Sequence, residues 1–234
     1  KEFDRDFFEE YNHNLINSHS LGIQPYCPVE MVRAMLCIRL NTALCGCTGI
    51  SPAILSLYEA FLNRGIHPRV PARGSIGEGD ISTLSLIGQT VLGCGEVEYH
   101  GRIIPAGEAL SAENITPAVL GPKDGLSIVS SNAQGEAMAA VLIREVQDIL
   151  HIANAVFCLS LEGLNGGVAP LGETVNHLRG LSGQIRCAEE CRRLLAGSYL
   201  YQTDRSRALQ DPLSFRCASA IHGSVLDALD FVCQ

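Results

Sequence analysis

A run of 14 residues rich in proline and glycine, His67 to Asp80, separates two stretches with helical periodicity. A connection of this length inside a compact domain is usually functional and not a simple link. It contains the carboxylate of Glu78, flanked by Gly77 and Gly79. A carboxylate in such a loop can attract a cation or act as a general acid or base. A solvated surface carboxylate is the alternative interpretation.

Two common ligand-binding patterns are excluded. The segment 74–79 has its glycines in the order G-x-x-G-x-G, follows a proline-rich loop and lies in no βαβ pattern, so it does not predict dinucleotide binding. The ten cysteines are scattered, and neither Cys45-Gly-Cys47 nor Cys187 with Cys191 has a second pair or a histidine at zinc-binding spacing. We therefore expect no metal, and we expect free, buried thiols instead of a disulfide framework.

The composition indicates a large apolar core or a large subunit interface, since 47% of the residues are hydrophobic and only 18% are charged. The net charge of −8 argues against nucleic-acid binding, which needs clustered Lys and Arg. Residues 1–20 are too charged and polar for a signal peptide, and the longest apolar run, 149–161, is too short to span a bilayer. We therefore expect a cytoplasmic protein that does not bind membranes.

Helical periodicity dominates the chain, and it predicts an all-α bundle that forms a single domain over residues 1–234. The one predicted β element is a short hairpin, Glu96–Ile104, with its turn near His100-Gly101. Because the chain lacks an initiating Met and helical spacing continues almost to its last residue, we expect a fragment truncated at both ends, which aggregates or stays partly folded in isolation. The predicted helices cover 4–19, 28–44, 51–63, 81–92, 125–161, 172–178, 182–196 and 213–232.

Three segments resemble motifs of the ammonia-lyase family that includes histidine, phenylalanine and tyrosine ammonia-lyases. Residues 14–22 resemble L-x-x-S-H-x-x-G, and residues 67–80 resemble H-P-x-V-P-x-x-G-S-V-G-A-S-G-D. Residues 210–217, followed by Ile221-His-Gly223, resemble Q-D-x-Y-S-x-R-C…V-x-G. The resemblance covers essentially the whole chain. It implies a long-helix bundle that assembles as a homotetramer, with each active site built from several subunits.

The resemblance also implies a reaction, the elimination of ammonia from an aromatic L-amino acid. In the family, the Ala-Ser-Gly of the second motif cyclises to methylidene-imidazolone, the electrophile that activates the substrate. Here only Glu78 and Gly79 stand between Gly77 and Asp80, so there is no serine to dehydrate. In addition, Leu213 replaces a Tyr of the third motif, and Ser130-Ser-Asn132 replaces an Asn-Gly-Thr that supports the electrophile. We therefore expect no cofactor.

The resemblance assigns substrate-handling roles to residues that this chain retains. Arg216 is expected to bind the substrate carboxylate, a bidentate task that lysine performs poorly; a surface ion pair is the alternative. His19 matches the histidine associated with ring recognition, and Gln210 matches a substrate-side glutamine; structural capping is the alternative for both. Asn132 is expected either in the pocket or as a cap of the long helix, and Glu78 is expected to face the substrate amine.

Two aspartates of the same motifs, Asp80 and Asp211, have structural roles as their first interpretation. Asp80 is placed to cap the helix that begins at Ile81. The Tyr that serves as catalytic base in the family is expected upstream of residue 1.

The lost electrophile and the retained carboxylate site favour one activity. A primary amine leaves poorly without an electrophile, whereas a quaternary amine needs no activation. We therefore predict a carbon–nitrogen lyase that converts an imidazole- or aryl-bearing amino acid or betaine to an α,β-unsaturated acid. The ergothionase branch of the family works without the prosthetic group and releases trimethylamine. Two alternatives stay open, an ordinary histidine-like ammonia-lyase and a catalytically silent relative that serves as a binding or assembly subunit.

Overall fold

Short strands and helices alternate in the first half of the chain, and helices follow one another in the second half. A computed structural model describes residues 7–233, and the chain divides into two compact units, Lys1–Val141 and Leu142–Gln234. The elements in chain order are α1 Phe8–His19, β1 Ile23–Tyr26, α2 Val29–Leu44, α3 Pro52–Arg64, β2 Ile66–Pro68, β3 Pro71–Arg73, α4 Ile81–Val91, β4 Glu96–Tyr99, β5 Arg102–Pro105, α5 Ala106–Ala112, α6 Asp124–Val129, α7 Ala133–Leu164, α8 Glu173–Arg179, α9 Ser182–Leu194, α10 Leu213–Arg216 and α11 Ala218–Val232.

The first unit packs its helices around one apolar core. Side chains from α2, α3 and α4 meet there, among them Leu36, Phe61 and Leu84, each with no exposed surface. The helix boundaries follow local sequence signals: Pro52 is the first residue of α3, and Gly65 ends this helix in the left-handed conformation at φ +67°. The core therefore holds α4 in a fixed position, and with it the end of the Gly-rich loop, residues 74–80, that precedes this helix.

The predicted hairpin is confirmed, since β4 and β5 pair antiparallel and join through His100 and Gly101, which both have positive φ. The prediction of a single β element was wrong, because β2 pairs with β4 and β1 pairs with β3. These additional strands have three or four residues and each contains a proline. Such segments are too short to show alternating hydrophobicity, and proline in a sequence argues against a strand.

Two predicted helices are interrupted. The helix predicted from residue 125 is divided into α6 and α7, because the Ser131 carbonyl accepts a hydrogen bond from the Asp80 backbone N–H (2.8 Å) and the Asp80 carboxylate binds the first free amides of α7. The helix predicted over 213–232 is divided into α10 and α11 at Cys217, whose backbone angles are φ −102° and ψ 2°. The part of the first predicted helix before residue 7 lies outside the described residues.

The second unit contains most of α7 together with α8 to α11. Its buried side chains include Phe157 and Leu161 of α7 and Leu195, just beyond α9. The helices α9 and α11 cross at two glycines: a Cβ on Gly183 would lie 2.0 Å from the carbonyl oxygen of Gly223, so the backbones can touch only because both residues lack side chains. No helix of the described residues is long and apolar enough to cross a membrane.

Candidate active site

The Gly-rich loop connects β3 to α4 and begins against the segment that follows His19. A Cβ on Gly74 would lie 3.1 Å from the carbonyl oxygen of Leu21, which explains the glycine at this close approach. Further along, Gly77 has φ +91° and donates its N–H to the Ser75 hydroxyl at 3.1 Å. The turn projects Ile76, which is 82% exposed, and Glu78 into solvent. Glu78 therefore stands at the exposed tip of a loop whose base is packed.

Asp80 fixes the other end of the loop. Its side chain is buried, and Oδ2 accepts hydrogen bonds from the backbone N–H groups of Gln134 (2.9 Å) and Gly135 (3.0 Å). These are amides of the first turn of α7, where a negative charge is also favoured by the helix dipole. We predicted that Asp80 caps the helix that it precedes. It occupies that position in the chain, but its carboxylate caps α7 and makes no capping hydrogen bond to α4.

Gln134 joins three elements around the loop. Its side-chain amide donates to the Pro71 carbonyl of β3 at 2.9 Å, and its side-chain oxygen accepts from the hydroxyl of Thr83 in α4 at 2.5 Å. Both side chains are buried, so these hydrogen bonds compensate for groups removed from water. Sequence reasoning missed Gln134. Neither Gln134 nor Thr83 stands out from its neighbours in the sequence, since Ser82 precedes Thr83 and Glu136 lies two residues beyond Gln134.

His19 is the last residue of α1 and is half-buried. Its Nδ1 lies 2.8 Å from the carbonyl oxygen of Leu15 and 3.1 Å from the hydroxyl of Ser18. A carbonyl oxygen only accepts hydrogen bonds, so the contact with Leu15 places the proton on Nδ1. In the neutral ring Nε2 is then an acceptor, which suits a ligand that presents an N–H.

Asn132 precedes α7 and has an exposed side chain. Its backbone carbonyl accepts the N–H of Glu136 at 3.0 Å. The side chains that cap the helix are those of Asp80 and of Ser131, whose hydroxyl accepts the N–H of Ala133 at 3.1 Å. The side chain of Asn132 makes no hydrogen bond within the described residues. It therefore stays available to a ligand, beside Gly79, whose added Cβ would lie 3.6 Å from the Ser131 carbonyl oxygen.

The remaining two predicted site residues belong to the second unit. Arg216 is half-buried, and its Nε donates to the Asp211 carbonyl at 2.9 Å. The Asp211 carboxylate in turn accepts the N–H of Gly167 at 2.6 Å, in agreement with the structural role expected for it. Both terminal nitrogens of Arg216 have no hydrogen-bond partner within the described residues, so they can take a carboxylate in bidentate geometry. Gln210 is exposed.

The structure thus brings the loop of Glu78, the segment after His19 and the start of α7 at Asn132 together in the first unit. Arg216 and Gln210 belong to the second unit.

The residues of the loop do not fit the electrophile of the family. The segment between Gly77 and Asp80 carries no hydroxyl that could be eliminated. The nearby hydroxyl of Ser75 accepts the Gly77 N–H within the turn and is followed by Ile76, not by the glycine that the cyclisation uses.

All ten cysteines are free. Burial raises the pKa of the Cys158, Cys187 and Cys191 thiols, which makes them poor nucleophiles and poor metal ligands. The expectation of buried thiols was only partly right, because five of the ten cysteines are exposed. The described residues contain no group of three or more His, Cys, Asp or Glu placed to hold a metal ion.

Comparison with known proteins agrees with these features. The family model for aromatic amino acid lyases matches residues 1–234. Histidine ammonia-lyase from Geobacillus sp. (strain WCH70) is 38% identical over 96% of this chain and 44% of its own length. The structure of the ergothioneine-degrading enzyme ergothionase from Treponema denticola, in complex with desmethyl-ergothioneine sulfonic acid, superposes with a TM-score of 0.97 at 58% identity, covering 99% of this chain and 47% of that one.

Histidine ammonia-lyase from Trypanosoma cruzi superposes with a TM-score of 0.87 at 27% identity, covering 98% of this chain and 43% of that one. The chain therefore belongs to the aromatic amino acid lyase family. It spans about half the length of the relatives that it matches.

The substitution Asp80→Ala tests the role assigned to the buried carboxylate. It removes the acceptor of two helix amides and leaves that of Gln134 buried without a partner, so we expect the free energy of unfolding to fall by roughly 2 to 4 kcal/mol. Denaturant unfolding measures this change. The control Asp148→Ala removes an exposed carboxylate paired with Arg144, and we expect a loss below about 1 kcal/mol. Equal losses in the two variants would contradict the role of Asp80.

Proposed function

We propose that the protein to which this chain belongs is a carbon–nitrogen lyase that eliminates a tertiary amine from an imidazole-bearing betaine without a methylidene-imidazolone group. The observation that carries the proposal is Glu78, which occupies the position of the electrophile-forming residues at the tip of a loop whose base is fixed. The preferred substrate is ergothioneine, an imidazole-thione with a trimethylammonium group, and the products are trimethylamine and thiourocanate.

The chemistry of the leaving group explains how the reaction dispenses with the electrophile. A base removes one proton from the carbon that bears the ring, the electron pair of that C–H bond forms the new double bond, and the C–N bond breaks with its electron pair on nitrogen. A quaternary nitrogen carries its positive charge at every pH, so it departs as a neutral amine. A primary amine has no such permanent charge, and this is why an electrophile is needed for ammonia.

The positions of the charged side chains in the sequence motifs agree with a betaine substrate. Glu78 offers a negative charge to the trimethylammonium group, and the attraction strengthens as water is excluded. Arg216 presents two unpaired terminal nitrogens to the carboxylate. In the neutral form of His19, Nε2 can accept a hydrogen bond from a ring N–H, of which an imidazole-thione has two. Asn132 and Gln210, both exposed, are proposed to contact the substrate from the same motifs.

The degree of similarity also favours this substrate. The ergothionase from Treponema denticola, an ergothioneine-degrading enzyme, is 58% identical to this chain. The histidine ammonia-lyases of Geobacillus sp. and Trypanosoma cruzi are 38% and 27% identical. We infer the same substrate class as that of the ergothionase from the combination of this similarity with the missing serine in the loop.

The test uses the protein at its full encoded length, incubated with ergothioneine and separately with L-histidine. Trimethylamine and thiourocanate are expected in equal amounts from ergothioneine, and no ammonia is expected from histidine. Glu78→Gln removes the charge that faces the cation, so we expect kcat/KM to fall by roughly 100-fold or more. Arg216→Lys keeps the charge but loses the bidentate geometry, so we expect a loss of about 10-fold to 100-fold.

Glu108→Gln is the matched control, because Glu108 is an exposed carboxylate on α5 of the same unit. The activity of this variant should equal that of the unmodified protein. Ammonia from histidine would show that an electrophile forms after all. Activity on neither substrate would favour the binding-subunit alternative, and full activity of Glu78→Gln would remove the role proposed for that carboxylate.

We also propose a homotetramer. Five apolar side chains of α7 follow the seven-residue spacing of helices that pack on a neighbouring helix, and each is more than half exposed within this chain. They are Leu142, Ile149, Ile152, Val156 and Leu159. Light scattering at full encoded length is expected to give the mass of four chains, and a monodisperse monomer would contradict the assembly.

A further inference from the structure

A cavity of about 290 Å³ in the first unit is separate from the residues assigned to the substrate. None of His19, Glu78 and Asn132, the predicted site residues of this unit, lines it. Its wall combines one cationic, one anionic, several polar and several apolar groups, in a space suited to a molecule of amino-acid size. The lining residues are Ser20, Leu21, Gly22, Tyr26, Arg69, Pro71, Leu86, Gln89, Gly95 and Glu96.

Arg69 is the cation in this cavity. Its guanidinium carbon lies 3.7 Å from the centre of the Tyr26 ring, a stacked geometry that holds the planar group in place. Its Nε is buried and has no hydrogen-bond partner within the described residues. A buried donor without a partner is costly, and in native proteins such groups are generally satisfied by a ligand or an ordered water. Arg69 therefore carries a buried donor for which the described residues supply no acceptor.

The anionic group of the cavity is Glu96, which is exposed. The backbone N–H of Arg69 donates to the Glu96 carbonyl at 3.0 Å, so the two residues are neighbours on adjacent chain segments. Their side chains nevertheless form no ion pair within 4.0 Å in the described residues. The cavity thus presents a positive and a negative side chain that form no ion pair with each other within the described residues. Both can therefore contact a ligand that carries both charges.

The hydroxyl of Ser20 adds an acceptor to the cavity, since its proton is donated to the Ile16 carbonyl at 2.7 Å and its lone pairs stay free. Gln89 contributes a side-chain amide. The remaining wall is apolar, with Leu21, Pro71 and Leu86.

The second unit contains a larger groove, of about 730 Å³, but most of its charged side chains are not available to a ligand. Most of its charged side chains are paired with one another, in contacts of 2.5 Å for Arg186 with Asp230, 3.3 Å for Arg144 with Asp148 and 2.7 Å for His151 with Glu190. A ligand there would have to compete with ion pairs of the protein. Size alone therefore does not distinguish a binding site. The smaller cavity differs because the Arg69 side chain forms no ion pair within the part of the chain that the structure describes.

We propose that this cavity binds a small zwitterion, a free α-amino acid or its N-methylated betaine, with the carboxylate on Arg69 and the cationic nitrogen toward Glu96. The site is additional to the proposed substrate site. Because Ser20, Leu21 and Gly22 line it and directly follow His19, an occupied cavity braces the segment that carries the ring-recognition histidine. The proposal concerns binding and does not depend on the reaction proposed above.

The test is calorimetric titration of the full-length protein carrying Arg216→Ala, a change that removes the carboxylate contact of the substrate site. The probes are glycine betaine and L-alanine, with acetate and tetramethylammonium as the two halves of a zwitterion. One zwitterion is expected to bind per chain, and each half is expected to bind at least roughly tenfold more weakly, since each loses one charged contact. Binding of only one of the two zwitterions would identify the N-methylation state that the site accepts.

Three further substitutions locate the binding in the cavity. Arg69→Met keeps an apolar side chain over Tyr26 but removes the charge, and we expect affinity to fall at least tenfold. Glu96→Gln, at an exposed position, should lower the affinity for the zwitterions and leave the affinity for acetate unchanged. The matched control is Arg102→Met, a change at an exposed arginine of β5. This variant should bind the zwitterions with the same affinity as the Arg216→Ala protein.

Absence of zwitterion binding up to about 50 mM, a concentration at which even weak sites fill, would overturn the proposal. Binding that survives both Arg69→Met and Glu96→Gln would overturn it as well. If Arg69→Met fails to fold, the effect of Glu96→Gln on the affinity for zwitterions decides. A lower affinity supports the proposed site, and an unchanged affinity overturns it.

Discussion

The carboxylate of Asp80 accepts hydrogen bonds from two amides at the start of α7, and the position of the Gly-rich loop depends on this contact. The same residue donates its own N–H to Ser131, so loop and helix are joined at two points. Gln134 extends the junction to β3 and α4 through its buried amide. The loop, β3, α4 and α7 meet through charge-assisted and buried hydrogen bonds, which are directional and therefore fix the geometry of the junction. Consequently the tip of the loop can change its residues while its base stays in place.

This separation of base and tip bears on the proposal that the protein eliminates an amine without the electrophile of its family. Asp80, at the base, is retained from the family motif, whereas Glu78 and Gly79 replace the three residues of the tip. In the second unit, Asp211 holds Gly167 and orients Arg216 by hydrogen bonds that do not involve the loop. The guanidinium that is proposed to bind the substrate carboxylate is therefore positioned by contacts within the second unit. Under the proposed function, the residues at the tip decide which amine can leave.

Much of this arrangement could be predicted from the sequence, because three motifs with fixed spacing and strong helical periodicity are local signals. The β4–β5 hairpin was predictable for the same reason, from turn residues between two β-rich segments. The short strands β1, β2 and β3 were missed, since pairing between segments distant in sequence leaves little local pattern. The break before α7 and the role of Gln134 depend on contacts between residues about fifty positions apart. No periodicity in one segment can indicate such a partner.

The account depends most on the claim that the loop keeps its encoded residues and forms no electrophile. Mass spectrometry of the purified full-length protein, followed by trypsin digestion to isolate the peptide from Gly74 to Arg102, measures this directly. The account predicts an intact mass equal to that of the encoded sequence and an unmodified peptide that contains Glu78 and Gly79. A peptide lighter by one or two water molecules, or a dehydrated site elsewhere in the protein, would contradict it and would indicate that an electrophile forms by cyclisation.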